Sequence, residues 1–143
     1  MEGIIEYADN GFWKNRKSPS ESLSKAATLF NDINGKVIIE IGTGIHGEMS
    51  GNSVHVWAKY TKAEKVYCLD LEEKHINDVK EAMIDFKQII PKKEDGITFV
   101  KNFKGSIDLL YLDFWTFDRE GELPGTARAE AYLQVYKNAR NKL

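Results

Sequence analysis

The apolar positions of this chain follow two patterns. The unbroken runs "KVIIEI" (36–41), "KVYCLD" (65–70) and "SIDLLYLD" (106–113) suit strands buried on both faces of a sheet. Elsewhere apolar residues recur three and four apart, as on one side of a helix. Leu23, Ala26, Ala27 and Phe30 do so after "SPSE", where Ser18 serves as N-cap, Pro19 takes the first helical position and Glu21 closes a capping box. Gly35 in "NDING" stops that helix. A second helix over 52–61 buries Val56, Trp57 and Tyr60. A third, "KHINDVKEAMIDFKQII", carries Ile76, Val79, Met83, Phe86 and Ile90 and is ended by Pro91. "GITFVKNF" (96–103) is expected to be the third strand and the 106–113 run the fourth. A final helix, "TARAEAYLQVYKNARNKL", has Leu133, Tyr136 and Ala139 on its apolar side.

The expected order is therefore α-β-α-β-α-β-β-α. Such alternation implies an α/β fold, a Rossmann-like and mostly parallel sheet with helices on both faces. Whether a helical turn fits in "KNFKGS", between the last two strands, stays open. Residues 1–17 lack periodicity and are expected to be a lead-in, with Phe12 and Trp13 either packing on the first helix or covering a pocket. Residues 18–143 are expected to form one domain, which agrees with a length of 143 residues.

Composition narrows the functional classes. The net charge of −2 lacks the basic excess of a phosphate-tracking surface, so a nucleic-acid partner is not expected. Cys68 is the single cysteine and lies in an apolar run, which fits a core residue in a reducing, cytoplasmic setting. The first residues lack the pattern of a secretory signal, and no apolar run approaches the ~20 residues of a membrane span.

The chemistry concentrates after the first strand. Gly42, Gly44 and Gly47 match G-x-G-x-x-G, a loop that lets a ligand approach the backbone at the carboxyl ends of parallel strands. Alone, the pattern also suits a dinucleotide. Asp70, at the end of the second strand, is placed to accept hydrogen bonds from ribose hydroxyls, or else to cap the next helix. Glu40 discriminates: a carboxylate two residues before Gly42 would repel a pyrophosphate and favour a cationic ligand. S-adenosylmethionine, with an ammonium, a sulfonium, a ribose and no phosphate, has that chemistry.

"VIIEIGTG", "VYCLD" and "IDLLYLD" together resemble motif I, the acidic end of the second strand and the fourth-strand motif of class I S-adenosylmethionine-dependent methyltransferases. The likeness covers roughly residues 36 to 140. It implies that Glu40, Gly42, Thr43 and Gly44, with Gly47 in the same loop, line the methionine part of the cofactor. Asp70 would hold the ribose, Leu71 would lie against the adenine, and Asn102 and Phe103, after the third strand, would border its edge. Asp113, at the tip of the fourth strand, would face the methyl group and a small-molecule acceptor. In the family that position orients substrate, acts as a base or binds metal; a catalytic role as base is the expectation here, and a solvated strand end is the plain alternative. The sequence departs from the family at His46, where glycine is usual, and it ends before the family's later strands. A metal site of the kind found in cation-dependent members is not expected, because its further ligands would lie beyond the fourth strand.

Other features have plain readings. The aromatics of "FWTF" (114–117) either wall a substrate pocket or anchor a loop; His46, His55 and His75 are most simply surface or capping residues. Two rivals remain: an NAD(P)-dependent oxidoreductase using the glycine loop, and a non-catalytic nucleoside-binding or assembly module. Without a further strand, "IDLLYL" would be an apolar edge. That predicts either a chain cut short or a homodimer covering the edge.

Overall fold

The computed structural model describes residues 19–43, 52–114 and 124–143. The lead-in, the proposed Ser18 cap, Gly44, His46, Gly47 and positions 115–117 of the aromatic run lie outside the described residues. In chain order the elements are α1 (Pro19–Asp32), β1 (Val37–Ile41), α2 (Asn52–Tyr60), β2 (Lys65–Asp70), α3 (Glu73–Ala82), β3 (Ile89–Lys93), α4 (Gly96–Asn102), β4 (Leu109–Leu112) and α5 (Pro124–Ala139). The four strands form one sheet in the order β3-β2-β1-β4, with every pair parallel. This is the expected α/β architecture, and no helix among the described residues is long and apolar enough to cross a membrane.

The alternation of side chains along each strand divides the core into two layers. Ile38, Val66 and Cys68 point toward α1, α2 and α3, where Leu23, Phe30, Trp57 and Val79 close over them. Ile39, Ile41 and Leu69 point the other way, onto Phe99 and Val100 of α4 and Val135 and Ala139 of α5. Each large apolar side chain removed from water in this way contributes on the order of 1.5–3 kcal/mol. Between α1 and β1 the chain reverses through Asn34, whose φ is +53°, and the Gly35 N–H donates to the Phe30 carbonyl at 2.9 Å. A side chain at Gly35 would run into the Phe30 ring, but the left-handed residue that turns the chain out of the helix is Asn34 rather than Gly35.

Two expectations need correction. The segment 96–103 is not the third strand: Gly96–Asn102 is helix α4, and the strand is Ile89–Lys93. Asp95 opens α4, its carboxylate accepting from the Thr98 N–H at 2.9 Å and the Thr98 hydroxyl at 2.7 Å. Phe99 and Val100 then face the sheet while Lys101 and Asn102 stay exposed. The helix expected to run to Pro91 ends at Ala82; hydrogen bonds from Phe86 N–H to Met83 and from Ile89 N–H to Phe86 lead into β3. Those three-residue steps prolong the helical spacing of Met83, Phe86 and Ile89 beyond the helix itself. Pro91 is accommodated because β3 is an edge strand, where a missing N–H breaks no ladder on its outer side.

The apolar side of α5 is also shifted. Val135 and Ala139 are buried, whereas Leu133 and Tyr136 are about half exposed. The hydroxyl of Tyr132, on the buried side, donates to the carbonyls of Leu112 and Phe114 at 3.2 and 3.3 Å, which ties α5 to the end of β4. β4 forms the second edge of the sheet; among the described residues no strand pairs with its outer side.

Candidate functional site

Because all four strands are parallel, their carboxyl ends lie on one rim of the sheet, and the chemistry-bearing residues collect there. After β1 the backbone bends sharply: Gly42 has φ +87°, and its N–H and that of Thr43 both donate to the Leu69 carbonyl, at 2.9 and 3.1 Å. A side chain at Gly42 would overlap the Asp113 carbonyl. The ends of β1 and β4 are therefore in backbone contact, with the Asp113 N–H donating to the Ile41 carbonyl at 2.9 Å. Beyond β2 and β3, the Glu94 N–H reaches the Asp70 carbonyl at 3.1 Å.

Glu40 lies in the α1–α3 layer, in register between Cys68 of β2 and Tyr111 of β4, and is 1% exposed. Its carboxylate is held from α2. Ser53 Oγ donates to Oε1 at 2.9 Å, and Trp57 Nε1 donates to Oε2 at 2.6 Å. Burial pushes its pKa up to about 7; the bonds from Ser53 and Trp57 lower it, and the negative charge of Asp113 adds to the rise. The half-buried Asp113 is thus close enough to Glu40 for the two acids to repel. Tyr111, edge-on to Trp57 at 5.5 Å, has its phenol pushed well up by burial first and by both carboxylates after it.

Thr43 is wholly buried. Its hydroxyl is near enough to lower the pKa of Glu40, yet it has no well-aligned hydrogen bond among the described residues. At the end of β2, Asp70 Oδ1 accepts from the Glu72 N–H at 2.8 Å and lies 3.2 Å from His75 Nδ1. Asp70 thus braces the β2–α3 turn, although the N-cap of α3 is Glu72. Its Oδ2 has no partner among the described residues, and the neighbouring Leu71 is 64% exposed.

The expected site residues Glu40, Gly42, Thr43, Asp70, Leu71 and Asp113 are therefore brought to one rim. Asn102 and Phe103 are not, and this corrects their placement. They end α4, which runs back from the rim toward the start of β4, and Phe103 packs on Tyr67 at 5.5 Å. The segment following β3 at the rim is Glu94–Gly96 instead. Sequence reasoning also missed Ser53 and Trp57 as partners of Glu40. Their four-residue separation on a helix was the available signal, since it puts both on the face that meets the strand. Phe114 stacks on Tyr132 at 4.7 Å, so this member of the aromatic run anchors the chain to α5.

The fold defined by this sheet order and rim is that of class I methyltransferases, as comparison with solved structures shows. A protein from Streptococcus mutans described as a methyltransferase, solved with S-adenosylhomocysteine, superposes with a TM-score of 0.63 at 17% identity, over 89% of this chain and 67% of that one. An rRNA methylase from Streptococcus thermophilus gives 0.65 at 13% identity, over 90% and 66%. TrmK from M. capricolum, in complex with its natural cofactor product S-adenosylhomocysteine, gives 0.59 at 22% identity, over 88% and 49%. The present chain thus spans between half and two thirds of the length of these structures. No protein-family model and no curated protein sequence matches it.

Proposed function

We propose that the rim binds S-adenosylmethionine and that the protein is a methyltransferase acting on a small-molecule acceptor. One observation carries the reading: two acids, Glu40 and Asp113, repel each other at adjoining strand ends beside a buried Thr43 hydroxyl that lacks an aligned partner among the described residues. A cationic ligand relieves that repulsion, whereas a diphosphate adds to it. The residues present fit such a ligand. Glu40 and Thr43 would hold its amino-acid end, and Gly42 lets it approach the backbone. The Asp70 oxygen without a partner among the described residues suits a ribose diol, and the exposed Leu71 side chain offers an apolar contact for the base. When bound, S-adenosylmethionine supplies an electrophilic methyl group on its sulfur. Asp113 would orient the acceptor and take its proton.

The acid balance of the chain favours a small acceptor over RNA, although several structures of this fold are described as RNA methylases. Titration calorimetry with S-adenosylhomocysteine and with NADH tests the cofactor. Binding of the first alone is expected; binding of NADH alone would replace this reading with the oxidoreductase.

A further inference from the structure

Among the described residues, the carboxylate of Glu40 receives its well-aligned hydrogen bonds from one helix. Ser53 and Trp57 both belong to α2, and α2 follows directly on the loop that begins at Gly42. From β2, Cys68 faces the carboxylate and offers no charge, since burial keeps its thiol protonated. From β4, Tyr111 faces it as a neutral phenol, and just beyond the strand Asp113 disfavours a second negative charge. Thr43 completes the surroundings. Among the described residues no cation is in this group, so there the Ser53 and Trp57 donors are the main support for an ionised Glu40.

We propose that Ser53 and Trp57 are positioning residues that keep Glu40 ionised and aimed for a cationic ligand, so that the docking of α2 sets the affinity of the site. This inference rests on the cofactor reading given above. It assigns a ligand-linked role to Trp57 and Ser53, one of them buried in the apolar core and neither at the loop itself. The hydrogen bonds favour the charged form over the neutral one, so their loss moves the ionisation of Glu40 to higher pH. A rise of about one unit lowers the ionised fraction at pH 7 from about a half to about a tenth, a roughly fivefold weaker affinity. The deficit should shrink to less than about twofold near pH 8.5. A role in packing alone would weaken binding equally at every pH.

The experiment uses Trp57→Phe and Ser53→Ala in the full chain. The Glu40 carboxyl resonance, assigned with Glu40→Gln, is titrated by 13C NMR without ligand, and S-adenosylhomocysteine affinity is measured by calorimetry across the same pH range. The inference expects both variants to raise the NMR midpoint and the affinity profile to move with it. Ser53→Ala leaves the core intact and serves alone if Trp57→Phe does not fold. An unmoved midpoint, or an affinity loss independent of pH, overturns the inference and leaves the cofactor assignment standing. If the wild-type protein binds no S-adenosylhomocysteine at any pH, the cofactor assignment falls, and the proposed link falls with it.

Discussion

Replacing Glu40 by glutamine should stabilise the protein at about pH 8 and leave it nearly unchanged at about pH 4.5. Glutamine keeps the shape and the bonds: its carbonyl accepts from Trp57 Nε1, and its amide donates to Ser53 Oγ, which can accept as well as donate. What it removes is the charge. The pKa of Glu40 rises from 4.5 in the unfolded chain to about 7 in the folded one, with burial as the largest cause. Between those values the folded protein holds the proton more tightly than the unfolded chain. Stability from this group is therefore fully present below pH 4.5, falls as pH rises toward 7, and is flat above. At 1.36 kcal/mol per unit, the loss is about 3 kcal/mol, a large part of a typical folding free energy. Urea unfolding of both proteins, followed by circular dichroism across this range, measures it as the difference between variant and wild type. Taking the difference cancels His55, whose opposite titration overlaps the window. The m-values should agree, since no surface is newly exposed. A difference that stays constant within about 0.5 kcal/mol from pH 4.5 to 8 would refute the reasoning, because Glu40 would then ionise in the folded protein as freely as in water. The same substitution should abolish the proposed preference for a cationic ligand, which would place a stability cost at a proposed binding position.

Five further outcomes are expected. Gly42→Ala combines a left-handed backbone with overlap on the Asp113 carbonyl and should cost about 2–4 kcal/mol in chemical denaturation. Asp70→Ala should remove S-adenosylhomocysteine binding by calorimetry, and Asp113→Asn should retain binding while losing turnover; intact turnover would reject the base assignment. His55, held down to about 4 by burial and then by Lys59, binds its proton more weakly when folded, so stability from it rises between about pH 4 and 6.5. His55→Gln should therefore be more stable than wild type near the bottom of that range and equal to it above, as read by melting temperature. Sedimentation equilibrium should find a dimer if a second copy covers β4, and a monomer would remove that expectation.

The elements read correctly from sequence are those whose local pattern admits one solution. "VIIEI", "KVYCLD" and "LLYL" are too short and too evenly apolar for an amphipathic helix. The acid–glycine order from Glu40 to Gly42 marks the carboxyl-end rim of the sheet in the sequence itself. The segment 96–103 was different, because Ile97, Phe99, Val100 and Phe103 fit a period of two nearly as well as one of 3.6. The Asp95–Thr98 cap is the local signal that favours the helix.

Sequence alone settled the strand runs, the alternation of layers and the placement of acids at one rim, because hydrophobic period and chain direction dictate them. Tertiary structure alone decided that Ile89–Lys93 is a strand, since its pairing with β2 replaces the helical bonds that its spacing suggested. It alone revealed that Glu40 is buried under Ser53 and Trp57. Which donors meet a buried carboxylate depends on how a helix docks, and that is a property of packing between distant segments.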